Sequence, residues 1–165
     1  MDDELAQLSA TVGTACKARG LTIATAESCT GGWAAQTITH TAGSSAWFER
    51  GFVAYANPAK VEMLDVAAQT LIDHGAVSRE TASAMAEGAL KHSQASISLA
   101  ITGIAGPATD GAPNAKPVGA VWFAWGHRNG ETTAEYRLFV GNREAIRRQA
   151  VMHALRGLLQ IITRQ

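Results

Sequence analysis

The chain carries no excess charge of either sign. Lys and Arg total 14 and Asp and Glu total 14 over 165 residues. A neutral chain has no global electrostatic attraction to nucleic acid or to an anionic membrane, so any anionic ligand must be caught by a local site. Nor is there a run of about 18 apolar residues, which excludes an expected spanning helix. The acidic, amphipathic start MDDELAQLSA lacks the basic opening and apolar stretch of a signal peptide. Cysteine is scarce, and Cys16 and Cys29 alone make no disulfide framework. These features together point to the cytoplasm. Repeats and low-complexity tracts are absent. So are GxxxxGK[ST] and HExxH, and the histidines at 40, 74, 92, 127 and 153 lack ligand spacing, so neither a metal nor a cofactor is expected. The GxSxG and SxxK arrangements of other serine enzymes are missing too.

What is present suits one domain spanning 1–165, since 47% of the residues are apolar and can fill a sizeable core. Leu5, Leu8, Val12, Ala15 and Cys16 recur at helical spacing over 4–19, and Gly20 stops that helix. A buried strand is predicted over 21–26, a helix over 31–40 and a second strand over 50–56. Asn57-Pro58 opens a short helix. Asp65 to His74 reads as another, closed by Gly75, and Ser78 caps a helix over 79–92. A third strand covers 95–102. The loop 103–117 holds three glycines and three of the four prolines, which excludes regular structure there. Strand-like runs at 118–126 and 132–140 flank Asn129-Gly130, a hairpin signal. Asn142 caps a last helix reaching about 163. Parallel crossovers followed by a late hairpin imply an α/β fold: a three-layer α/β/α sandwich around a mixed, mainly parallel five-stranded sheet.

Ser28 stands between the first strand and a helix start marked by Gly31-Gly32. In an open α/β sheet the loops after strand C-termini form the ligand crevice, and free N–H groups at a helix start favour anions and oxyanions. A competing reading makes Ser28 or Thr30 a helix cap. Cys29 is a rival nucleophile, although no histidine is near in sequence to activate it. With the first three strands parallel, Tyr55, Asn57, Lys60, Thr102, Gly103 and Gly106 fall at the same edge. A lysine in such a crevice, desolvated so that its pKa falls, serves as a general base, and Ser plus Lys is a known nucleophile–base pair. Arg143 follows the cap Asn142, where the helix dipole disfavours a cation unless an anion is bound. Arg147 lies one turn on; the pair otherwise reads as a solvated face with Glu144. The four tryptophans read as core, yet Trp47-Phe48 beside a loop suggests an exposed interface and a homodimer.

Six ordered segments now read together: Ala26-Glu27-Ser28-Cys29-Thr30-Gly31-Gly32, Tyr55-Ala56-Asn57-Pro58-Ala59-Lys60, Gly75-Ala76-Val77-Ser78, Thr102-Gly103-Ile104-Ala105-Gly106-Pro107, Lys116-Pro117-Val118-Gly119 and Phe139-Val140-Gly141-Asn142-Arg143. They resemble the CinA C-terminal domain family of nicotinamide-nucleotide amidases over about 5–160. The resemblance implies the same α/β/α sandwich. It also implies deamidation of nicotinamide mononucleotide to nicotinate mononucleotide and ammonia, in pyridine-nucleotide recycling. The implied catalytic set is Ser28, Lys60 and Tyr55, with no metal or cofactor. Glu27, Thr30, Gly31, Gly32, Asn57, Thr102, Gly103, Gly106 and Arg143 are the implied substrate contacts, Arg143 holding the 5′-phosphate. The oxyanion is expected on N–H groups near Thr30–Gly32 or Thr102–Gly103. The chain resembles the stand-alone form, without the N-terminal domain of longer CinA proteins. It departs from the family pattern in Pro107-Ala108-Thr109-Asp110-Gly111, which is less glycine-rich, and in Asn142 before Arg143, where aspartate is common and asparagine preserves the cap. A non-catalytic nucleotide-binding or regulatory module, related to competence or damage response, is the alternative.

Overall fold

The computed structural model describes residues 1–109, 111 and 115–164. Helix α1, Asp3–Arg19, begins where the Asp2 carboxylate accepts from the N–H groups of Glu4 and Leu5, and it ends at Gly20 in the left-handed region. Strand β1 is Ile23–Glu27, fully buried, and helix α2 is Trp33–His40. A single 3-10 turn at Ser44–Ala46 leads into strand β2, Phe48–Val53. Helices α3 (Asn57–Leu64), α4 (Ala68–His74) and α5 (Arg79–Lys91) follow. Strands β3 (Ile97–Gly103), β4 (Ala120–His127) and β5 (Thr133–Leu138) precede helix α6, Arg143–Thr163.

The sheet order is β2-β1-β3-β4-β5. β1 pairs in parallel with β2 and β3, while β4 is antiparallel to both β3 and β5. Four strands therefore point one way and β4 alone opposes them, which makes the sheet mixed and mainly parallel. One apolar cluster joins α1, α2 and α6 to one sheet face through Leu5, Val12, Ile38, Val151 and Leu155. The other face packs small side chains, Ala24, Ala26, Ala100 and Ala124, against Leu64, Met85 and Ala86 of α3 and α5. The result is the three-layer α/β/α sandwich.

Several local expectations are corrected. β2 begins at Phe48 and stops at Val53, because the Ala54 N–H still bonds the Glu27 carbonyl but the chain then leaves the ladder. Asp65 does not open α4. It ends α3 with φ of 55°, its N–H closing on Lys60 and Val61 carbonyls. Trp47 is not an exposed interface residue: it is 0% exposed and packs where Gly13 of α1 leaves room, since a Cβ there would meet the indole at 2.6 Å. Trp125 is buried, with its indole N–H on the Ala154 carbonyl, whereas Trp33 and Trp122 are half-buried.

Candidate active site

Because β1, β2 and β3 run in parallel, Glu27, Val53 and Gly103 end at one edge of the sheet. The chain goes from β1 to β2 on one side and later to β3 on the other, so β1 sits at the point where strand order reverses. Ligand crevices form at that point in open α/β sheets. A cavity of ≈ 240 Å³ opens there. Of the twelve site residues read from sequence, Ser28, Tyr55, Asn57, Lys60, Thr102, Gly103, Gly106 and Arg143 line it. Cys29, the rival nucleophile, completes part of the wall with Val77, Ile104 and Thr109, to which the sequence assigns no role. In the glycine-poor loop, Asp110 and 112–114 lie outside the described residues.

Lys60 is 1% exposed, deeper than any helix-face lysine should be. Pro58 in the first turn of α3 sets the direction of that helix, and Lys60 reaches back toward the end of β1. Its Nζ donates to the Tyr55 carbonyl at 2.9 Å and contacts Ser28 Oγ at 3.1 Å. Its polar partners among the described residues are thus a carbonyl and a hydroxyl, neither of them a carboxylate. Burial, the larger effect, pushes the amine below the usual lysine range, while the Cys29 sulfur acts in the opposite direction.

Ser28 caps no helix. Its N–H bonds the Ile101 carbonyl of β3, and its hydroxyl also lies 3.5 Å from the Tyr55 carbonyl. α2 is capped from outside: the buried Glu27 carboxylate accepts from the N–H groups of Ala34 at 2.8 Å and Ala35 at 3.1 Å, and from Thr30 Oγ1 at 2.6 Å. A carboxylate at this place also complements the helix dipole. The Glu27 carboxylate and the Thr30 hydroxyl, expected at the substrate, are thus satisfied within the protein and do not line the cavity, which leaves Thr30 its backbone N–H. Gly31 and Gly32 do not line the cavity either. They carry φ of 59° and 101°, which turn the chain from β1 into α2.

Tyr55 meets the serine–lysine pair through its backbone carbonyl. Its side chain is 57% exposed, and its hydroxyl accepts from Arg143 Nη2 at 3.0 Å. Arg143 Nη1 donates to the Gly106 carbonyl at 2.7 Å, so the guanidinium straps Tyr55 to the loop after β3 across the cavity mouth. Gly106 is required there, since its φ is 82° and a Cβ would meet Val118 Cγ1 at 2.5 Å. Thr102 Oγ1 donates to the Ala76 carbonyl and ties β3 to the opposite wall. Arg147 is not part of a solvated pair, for it binds the turn after Ser28.

The rival thiol is poorly suited to attack. Burial pushes Cys29 up to about 12, with the nearby Glu27 carboxylate adding to the rise, and Cys16 also goes up to about 12 on burial. Ellman's reagent is therefore expected to find almost no thiol in the native protein at neutral pH and two after unfolding. Fast native labelling of one thiol would reinstate Cys29 as a candidate nucleophile.

The fold and cavity define a three-layer α/β/α protein with a buried serine–lysine pair at the carboxyl edge of its sheet. The chain belongs to the CinA C-terminal domain family, whose model matches residues 5–162. It is 55% identical over 159 residues to the nicotinamide-nucleotide amidohydrolase PncC of Escherichia coli K12, covering 96% of this chain and 95% of that one. The protein of the same name from Pseudomonas putida is 46% identical over 161 residues, covering 98% and 99%. Among solved structures, the competence/damage inducible protein CihA from Agrobacterium tumefaciens superposes with a TM-score of 0.91. That match has 44% identity and covers 98% of this chain and 97% of that one.

Proposed function

We propose that the protein is an amidohydrolase that converts nicotinamide mononucleotide to nicotinate mononucleotide and ammonia, with Ser28 as nucleophile and Lys60 as its base. The observation that carries the mechanism is the buried Lys60 amine, held 3.1 Å from Ser28 Oγ with no carboxylate bonded to it among the described residues. The substrate comes from the names of relatives that match along nearly their whole length. In the neutral amine the Ser28–Lys60 contact runs from hydroxyl to nitrogen lone pair. Oγ attacks the carboxamide carbon as Lys60 takes its proton. The N–H groups of Cys29 and Thr30, which take no partner among the described residues and follow directly on the nucleophile, serve as the oxyanion donors in this reading. Collapse breaks the C–N bond, and the Lys60 ammonium returns the proton to leaving ammonia. Water, deprotonated by the same amine, then attacks the acyl carbon, the C–Oγ bond breaks to release the product acid, and the Lys60 ammonium returns its proton to Ser28 Oγ. Lys60 serves both proton transfers directly, and the Tyr55 hydroxyl, engaged by Arg143, orders the cavity mouth. The chemistry supports a small pyridine nucleotide as the ligand. The two unpaired cysteines accord with a reducing cytoplasm, and a homodimer is the proposed assembly.

Arg143 holds the 5′-phosphate in this reading. It is the first residue of α6, where a bound dianion offsets the repulsion between guanidinium and dipole. Ammonia release from nicotinamide mononucleotide tests the activity, and Arg143→Ala tests the phosphate contact. Loss of a charge-assisted hydrogen bond costs about 1.5–3 kcal/mol. The variant should therefore lose roughly ten- to hundredfold in kcat/KM for the mononucleotide, mostly in KM, and much less for the riboside. Equal losses on both substrates would remove the phosphate from Arg143. A wild-type protein that binds the mononucleotide without releasing ammonia would favour the non-catalytic module.

A further inference from the structure

Arg147, on the second turn of α6, lies outside the cavity lining but touches the turn that carries Ser28. Its Nε donates to the Cys29 carbonyl at 3.0 Å and its Nη2 to the Thr30 carbonyl at 3.1 Å. The guanidinium also lies over the Trp33 ring, 5.4 Å from the centroid, which restricts its swing. A third carbonyl in the turn, that of Ser28, accepts from the Gly31 N–H at 3.0 Å.

The consequence follows from peptide geometry. In a planar trans peptide the C=O and the following N–H point in opposite directions. Fixing the Ser28 carbonyl therefore aims the Cys29 N–H away from it, and fixing the Cys29 carbonyl aims the Thr30 N–H away from Arg147. Neither N–H has a hydrogen-bond partner among the described residues, and both follow directly on Ser28. Holding the Thr30 carbonyl also orients the Gly31 N–H that pins Ser28. One guanidinium thus braces two of the three peptide planes, alone at the Cys29 carbonyl and together with the Trp33 N–H, 3.1 Å away, at the Thr30 carbonyl. Its charge, on the far side of the Cys29–Thr30 peptide, polarises that N–H toward an anion. A cation so near the start of α6 opposes the helix dipole, and two charge-assisted bonds to one turn offset that cost.

We propose that Arg147 is a positioning residue that builds the oxyanion hole from behind, without touching the substrate. This rests on the serine–lysine reading above. The test uses two substrates so that the two ideas fail separately. One is nicotinamide mononucleotide. The other is p-nitrophenyl acetate, which acylates Ser28 through the same hole and needs no pyridine nucleotide. In Arg147→Ala the acylation rate and the kcat for the mononucleotide should both fall about 10- to 100-fold, the scale of a disturbed oxyanion donor. The KM for the mononucleotide should stay within about twofold, because uniform binding is untouched. Millimolar guanidinium should restore part of the rate, and Arg147→Lys, which keeps charge but not the fork, should fall between. If Arg147→Ala does not fold, Arg147→Lys carries the test, and its full activity on both substrates would overturn the proposal. So would an unchanged rate in folded Arg147→Ala, a loss confined to KM, or a rate loss that guanidinium leaves untouched. A wild-type protein that acylates on Ser28 but spares the mononucleotide would sink only the substrate assignment. A wild-type protein inert to both would overturn both readings, since an activated serine beside a formed hole must acylate.

Discussion

Ser28→Ala is expected to abolish ammonia release, lowering kcat by about ten-thousandfold or more, while the protein stays folded. Loss of the nucleophile in a serine hydrolase leaves only what the oxyanion hole and binding provide, and that residue of rate is small. The fold should tolerate the change. Among the described residues the Ser28 hydroxyl bonds only Lys60 Nζ at 3.1 Å and the Tyr55 carbonyl at 3.5 Å, while its N–H, which alanine keeps, makes the bond to Ile101. Substrate should still bind, which equilibrium titration can measure. Because nucleophile and base act as one unit, combining Ser28→Ala with Lys60→Met should cost little more than either change alone. Retention of more than about a tenth of the activity in Ser28→Ala would end the serine assignment.

Lys60→Met should also remove turnover, and it should do so while making the protein more stable at neutral pH. The sign follows from proton linkage. Burial holds the Lys60 pKa below its ordinary value of 10.5 in the folded protein. Between those two values the unfolded chain binds more protons, so folding stability rises with pH across that window. The penalty is full below the folded pKa and disappears above the unfolded one. Methionine never carries it. Replacing buried charged groups by apolar ones of similar volume commonly gains about 1–4 kcal/mol. At this chain length each kcal/mol moves Tm by about 2–4 °C. Thermal melts of both proteins should therefore differ most near neutrality and converge toward pH 10.5. A variant less stable at pH 7, or a gap that widens on going alkaline, would show that Lys60 is not held as a depressed amine. In the wild type, kcat/KM should climb with pH through the same folded-state pKa, since only the neutral amine accepts the serine proton.

Much of the architecture was legible because it rests on local signals. Gly20, Ser78 and Asn142 act where chain direction changes, and each terminates or caps the helix that its chemistry suits. The Asn129-Gly130 signal does mark the hairpin between β4 and β5, although the turn closes one residue earlier, the Gly130 N–H bonding the His127 carbonyl around Arg128-Asn129. Parallel crossovers then put Ser28, Lys60 and Thr102 at one sheet edge without further information. Where expectation failed, a distant partner decided. Trp47 beside a loop reads as exposed, yet Gly13, far away in sequence, opens a slot in α1 for it. Asp65 reads as a helix opener but stands in the left-handed conformation that ends α3.

The site divides along the same line. Sequence alone determined which groups stand at the carboxyl edge: a hydroxyl, an amine, a phenol and a guanidinium, each following a strand or opening a helix by a local rule. Side-chain partners were beyond it. Glu27 looked like a ligand contact, and only the packed turn shows its carboxylate satisfied by Thr30, Ala34 and Ala35. Arg143 and Arg147 differ by one helical turn and look alike in sequence, but one faces the cavity mouth and the other grips the serine turn from behind. Lys60 is 1% exposed because β1, α3 and the Tyr55 carbonyl close around it, and among the described residues no carboxylate bonds its amine, which is what suits it to the proposed role of base. Chain order sets the chemistry of each group, while desolvation and hydrogen-bond pairing depend on all the elements packed around it, so the tertiary structure alone decided which groups are charged, which are free and which are already engaged.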